Sequence, residues 1–213
     1  MKFILQKKTV LLVGIALAVI GVGGGVLFFY PRIQVEVLRA AVQKGENAAA
    51  IMPIVDENAK KLFDADSAND VASYNLLGVY AAHAGDKRLA LWFYRAALTR
   101  EPLNPTAIHN SAIVYEEMQD YTRAEAFHRR YLDLYPSEMT EYRALADMYR
   151  YRFPNGEQKI VDLMNEGLIK TGDHPDLLTW MISYYQETGQ PEKAIPYSQK
   201  LLKKIPTPEQ KKK

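Results

Sequence analysis

The sequence predicts an all-α protein in which an N-terminal transmembrane helix precedes an α-solenoid of about four helix pairs. Three observations predict it. Thr9 to Tyr30 is a charge-free run of 22 residues. From residue 71 onward the same residue types recur at steps of 34 or 36. Within each unit the apolar positions follow helical spacing, and no alternating segment reads as a strand.

Composition narrows the function before any motif does. The 213 residues are 48% hydrophobic, which suits an ordered protein. Lys and Arg number 27 against 25 Asp and Glu, a formal charge of +2. Such a balance argues against a nucleic-acid partner. Cys is absent, which excludes a disulfide framework, a thiolate zinc site and a cysteine nucleophile. The charge is uneven. Residues 1–30 hold Lys2, Lys7 and Lys8 and no acid, leaving 24 basic and 25 acidic groups for the rest.

Residues 1–8 are a basic flank, and 9–30 form the predicted span. A helix of 22 residues is roughly 33 Å long, enough for a bilayer core. Phe28, Phe29 and Tyr30 close it with an aromatic edge, and Pro31 is expected to end it. Ala16-Leu17-Ala18 is a cleavage-type triplet, but the apolar run continues well past it. That favours an uncleaved signal-anchor over a signal peptide. The dense basic N-terminus favours N-inside against Arg32, Arg39 and Lys44 on the other flank. The expectation is a single-pass protein of a bacterial inner membrane, with its folded part outside the cytoplasm. Gly21 and Gly25 form a G-x-x-x-G on which two membrane helices can pack.

Residues 31–70 read as a juxtamembrane linker and N-terminal cap of one or two helices. Ile51, Ile54, Val55, Leu62 and Phe63 make an apolar face, and Pro53 before Asp56 and Glu57 reads as a helix start.

The repeats follow as 71–104, 105–138, 139–174 and 175–208. Gly78, Ala112 and Ala146 are 34 apart, and Ile182 follows at 36. Pro102 and Pro136 are 34 apart, and Pro206 lies 70 beyond Pro136. The two extra residues fall at Phe153-Pro154-Asn155-Gly156. Small residues sit where the two axes of a pair come closest. Each Pro stops a second helix. Gly85 and Gly189 lie in turns that use left-handed backbone. Residues 209–213 are a basic tail.

This pattern resembles the tetratricopeptide repeat (TPR). The first unit has Tyr74, Leu77, Gly78, Ala90, Tyr94, Ala97 and Pro102, with Ala81 where the family has Tyr. The second has Ile108, Ser111, Ala112, Tyr115, Ala124, His128 and Pro136. The third has Tyr142, Leu145, Ala146 and Tyr149, with Ile160 in an Ala position. The fourth has Leu178, Met181, Ile182, Tyr185, Gly189, Ala194, Leu201 and Pro206. Four units in register carry the resemblance.

The resemblance implies a superhelix of helix pairs whose first helices line a concave groove for a protein or peptide partner. The groove residues it implies are Asn75, Val79, His109, Asn110, Ile113, Arg143, Asp147, Arg150, Thr179 and Ser183. Arg143 and Arg150 suit a carboxylate, and Arg143 and Asp147, four apart, suit each other equally. The positions that would grip a chaperone's C-terminal carboxylate are Asn75, Val79, Asn110, Thr140 and Ala144. Only Asn110 agrees, which argues against such a clamp. Arrays of this family end in a solvating helix, and little chain follows residues 191–205. That helix is therefore expected to leave apolar surface for a partner or a second copy.

No catalytic chemistry is apparent. His83, His109, His128 and His174 have no metal-ligand spacing between them. His128 takes an aromatic position and reads as a packed side chain. Glu116 and Glu117 read as solvated carboxylates. No phosphate loop or nucleophile elbow occurs. The expected function is a membrane-tethered scaffold that supports assembly of a membrane-associated complex, with no enzyme activity, cofactor or metal. The alternative is a constitutive subunit of a membrane complex, held through its transmembrane helix.

Overall fold

Backbone in the left-handed region recurs at Gly85 (φ 83°), Gln119 (61°), Asn155 (56°) and Gly189 (72°). The steps are 34, 36 and 34. Each residue sits in the turn inside a helix pair and reverses the chain there. The computed structural model describes residues 25–64 and 70–204. It divides the chain into two compact units, Met1–Arg100 and Glu101–Lys213.

The first unit holds α1 (Gly25–Val42), α2 (Ala48–Phe63), α3 (Val71–His83) and α4 (Lys87–Arg100). The second holds α5 (Pro105–Glu117), α6 (Tyr121–Leu134), α7 (Met139–Arg152), α8 (Glu157–Thr171), α9 (Pro175–Glu187) and α10 (Pro191–Lys204). The described residues are thus all-helical, and α3 to α10 form the four pairs expected from the register. Helix starts are capped locally. Asp70, Asp86, Asn104 and Asp120 each accept a backbone N–H two or three residues inside their helix at 3.0–3.2 Å.

In the first unit the pair α3–α4 closes on Gly78. A Cβ there would lie 2.4 Å from Cε1 of Tyr94, whose ring is buried. Tyr74 is covered by Arg100, which lies 4.1 Å above the ring and donates to its hydroxyl at 2.7 Å. Helix α2 joins α3 through buried Asn58, which accepts from Ser73 Oγ at 2.9 Å.

Two prolines act differently from the sequence expectation. Helix α1 runs through Pro31, and α2 begins at Ala48 with Pro53 inside it. A proline within a helix removes one backbone bond, at a cost of about 3 kcal/mol. Downstream burial of Val35, Leu38 and Val42 in α1, and of Val55, Ala59 and Leu62 in α2, offsets that cost. Residues 1–24 lie outside the described residues, so most of the predicted span, including Gly21, does too. Gly25 is the first residue of α1. Among the described residues, no helix is long and apolar enough to cross a membrane.

In the second unit Ile160, placed where an Ala was expected, is core with Leu163, Met164 and Leu168. The longer turn of the third pair is locked at Gly156. A Cβ there would lie 2.3 Å from the Tyr149 carbonyl oxygen. Backbone cannot yield as a side chain does. Gly156→Ala is expected to lower stability by about 1–3 kcal/mol in a urea titration.

Candidate functional site

The face that the register assigns to partner binding comprises α5, α7 and α9 in the second unit. The structure places its residues unequally. Ile113 is 39% exposed. Arg143 is exposed and makes no ion pair among the described residues. Asn110 is half-buried and Thr179 is exposed, donating to the Pro175 carbonyl; Ser183 is half-buried. Of the two alternatives for Arg143, the pair with Asp147 is not formed. Asp147 instead accepts from Trp180 Nε1 at 3.1 Å. Arg150 is half-buried and donates to Glu187 at 2.7 Å. Its guanidinium lies 5.0 Å from the centre of the Tyr151 ring and 5.5 Å from that of Tyr184. Tyr184 in turn stacks on Trp180, with centroids 5.3 Å apart. A ladder of one cation and three rings therefore joins α7 to α9. Beside it opens a cleft of about 270 Å³, lined by Arg150, Tyr151, Ile160, Tyr184 and Thr188.

In the first unit Asn75 is buried, at 8% exposure, and does not line an open surface; Val79 is half-buried. Helix α1 packs against the same helix, α3.

Between α5, α6 and α7 lies a charged cluster that the sequence reading missed. His128, 1% exposed, faces Glu141 Oε1 at 2.6 Å through Nδ1 and Glu116 Oε1 at 2.5 Å through Nε2. Carboxylates only accept, so both ring nitrogens donate and the ring is a cation. Glu141 is 2% exposed, and its other oxygen accepts from His109 Nδ1 at 3.0 Å. His109 is thus tied to α7 and also packs 5.3 Å from Tyr131. Burial alone would lower the His128 pKa. Its bonds to Glu116 and Glu141 outweigh burial and raise it to about 9. Burial would likewise raise the Glu141 pKa, but bonds from His109 and His128 hold it down at about 2.

His128 is packed, as its aromatic position implies, but Glu116 is its partner and not a solvated carboxylate. The signal for Glu141 was in the register. Ser73, Ala107, Glu141 and Leu177 occupy one repeat position, and all four are buried. Among the described residues, no group of three or more His, Cys, Asp or Glu side chains is arranged to hold a metal ion.

No family model matches the chain. A stretch of 61 residues, 29% of the chain, is 38% identical to a curated protein of Pyropia yezoensis described as uncharacterized protein ycf37. The match covers 34% of that protein, so the chain spans about a third of the length of this relative. Among solved structures, the chain is similar to a MamA RS-1 ArsTM double mutant. The TM-score is 0.50 at 14% identity, covering 81% of this chain and 93% of that one. A second similar structure is MamA residues 41 to the end from Desulfovibrio magneticus RS-1. There the TM-score is 0.49 at 16% identity, covering 80% and 94%. The first of these likenesses shows a TPR-type, all-helical fold.

Proposed function

We propose that the chain is a membrane-tethered TPR-type scaffold that binds a protein or peptide partner on the first-helix face of its second unit. The observation that carries the reading is the uncovered pair Ile113 and Arg143 on that face. One offers apolar area and the other an ionic group that makes no ion pair among the described residues. Arg150 and Asp147 serve the neighbouring repeat and hold the face in shape. The buried His128–Glu141 pair fixes α6 against α7 beneath it. Such a face suits an extended or helical segment carrying a carboxylate beside an apolar side chain. The tether is the charge-free run 9–30, placed by this reading in a bacterial inner membrane with the repeats outside the cytoplasm. Exposed Ile195 and Leu202 on α10 offer a second contact, for a partner or another copy.

The test is a gentle-detergent pull-down of the full chain beside an Ile113→Glu/Arg143→Glu variant. Both side chains are uncovered, so the fold is expected to survive. One partner should disappear from the variant. An unchanged set of captured proteins contradicts the reading.

A further inference from the structure

The face of α4 turned away from the core is basic and aromatic. Leu89, Ala90, Phe93, Tyr94 and Ala97 are buried. Opposite them, Arg88, Trp92, Arg95 and Thr99 follow at helical spacing, with Leu91 beside Trp92. Arg88 and Arg95 are exposed and make no ion pair among the described residues. Helix α4 carries Lys87, Arg88, Arg95 and Arg100 and no acidic residue; Asp86, just before it, is engaged as the cap. Trp92 is half-buried, and its ring packs against Tyr30 with centroids 5.6 Å apart. Tyr30 is the last residue of the charge-free run, and α1 carries the chain without a break from Gly25 through Tyr30 to Val42. The point where that run ends is therefore fixed against the basic, aromatic face of α4.

From this we infer that the outer face of α4 lies on the surface of an anionic bilayer beside the anchor. It holds the first repeat against the membrane and prevents it from swinging on a tether. The inference rests on the tethering reading and goes beyond it. The chemistry matches an interface. Trp and Tyr favour the headgroup level, long basic side chains reach phosphates while their stems cover apolar surface, and anionic lipid attracts uncompensated Arg. A soluble acidic partner would satisfy the arginines but gives no reason for Trp92 to meet the end of the apolar run.

The full chain, with Trp180→Phe so that Trp92 is the sole indole, is reconstituted into phosphatidylcholine vesicles with and without phosphatidylglycerol. Flotation reports the tether, and quenching by lipids brominated near the headgroup reports docking. The expected result is flotation in both vesicles and strong quenching of Trp92 only with phosphatidylglycerol, weakened by high salt. Each basic residue near an anionic surface strengthens binding about fivefold, so Arg88→Glu/Arg95→Glu should weaken docking more than tenfold. Flotation with Trp92 unquenched overturns the docking and leaves the tether standing. Equal quenching in neutral vesicles overturns the anionic-lipid assignment. A chain that does not float overturns both readings.

Discussion

Glu141→Leu is expected to destabilise the protein by about 3–5 kcal/mol, the usual effect of removing one partner of a buried ion pair. His128 would keep its buried position with only Glu116 left to satisfy it. The same carboxylate anchors His109, so the variant also loses the bond from α5. Replacing both partners should behave oppositely. The residue at the register position of His128 in the third repeat is Met164, and that of Glu141 in the fourth is Leu177, both fully buried. Glu141→Leu/His128→Met is therefore expected to recover most of the loss, because an apolar pair of similar volume has no desolvation penalty. A simple sum of two losses in the double variant would contradict the ion-pair account.

The pair also sets a pH dependence whose sign follows from the two shifts. His128 has its pKa raised from 6.5 to about 9 in the folded chain. Its contribution is complete below about pH 6.5 and is lost as pH rises through 9. Glu141 is lowered from 4.5 to about 2, so its contribution is complete above about pH 4.5 and is lost as pH falls toward 2. Stability from this pair is greatest between these limits. A decline of about 2 kcal/mol is expected from pH 6 to pH 8 in urea titrations. Glu141→Leu/His128→Met should flatten that decline.

Gly78→Ala is the second large effect. The added methyl would stand 2.4 Å from the ring of Tyr94, which is buried and cannot turn away. Overpacking of this kind costs about 1–3 kcal/mol. The repeats indicate the compensation. Where the first has Gly78 with Tyr94, the second has Ala112 with His128, the third Ala146 with Met164 and the fourth Ile182 with Ser198. The small-residue position grows as the facing register position shrinks. Tyr94→Met should therefore rescue Gly78→Ala, although Tyr94→Met alone leaves a void and is destabilising. Thermal denaturation of the two single variants and the double variant measures the coupling.

The helix pairs were legible because their signals are local and repeated. Gly85 and Gly189 marked two of the four turns, and the Gly, Ala and Pro register implied the other two, although Gln119 and Asn155 are not glycine. Pro31 and Pro53 misled for the opposite reason. A local stop signal was outweighed by burial further along each helix, which local sequence does not display. The contacts of the site do not follow the four-residue spacing of a single helix. Several run one repeat apart. His109 meets Glu141 at a separation of 32, Asp147 meets Trp180 at 33, and Arg150 meets Glu187 at 37. In stacked pairs the nearest side chain across a helix face comes from the next repeat. Glu141 belongs to no local motif, and only its register position, buried in every repeat, marks it.

The central claim is that the partner sits on the first-helix face of the second unit. A photo-crosslinking residue placed in turn at Ile113, at Arg143 and at exposed Ala126 on α6 tests it in intact cells. The account predicts that Ile113 and Arg143 crosslink to the same protein and that Ala126 does not. Identical adducts from all three positions, or adducts from Ala126 alone, would contradict it.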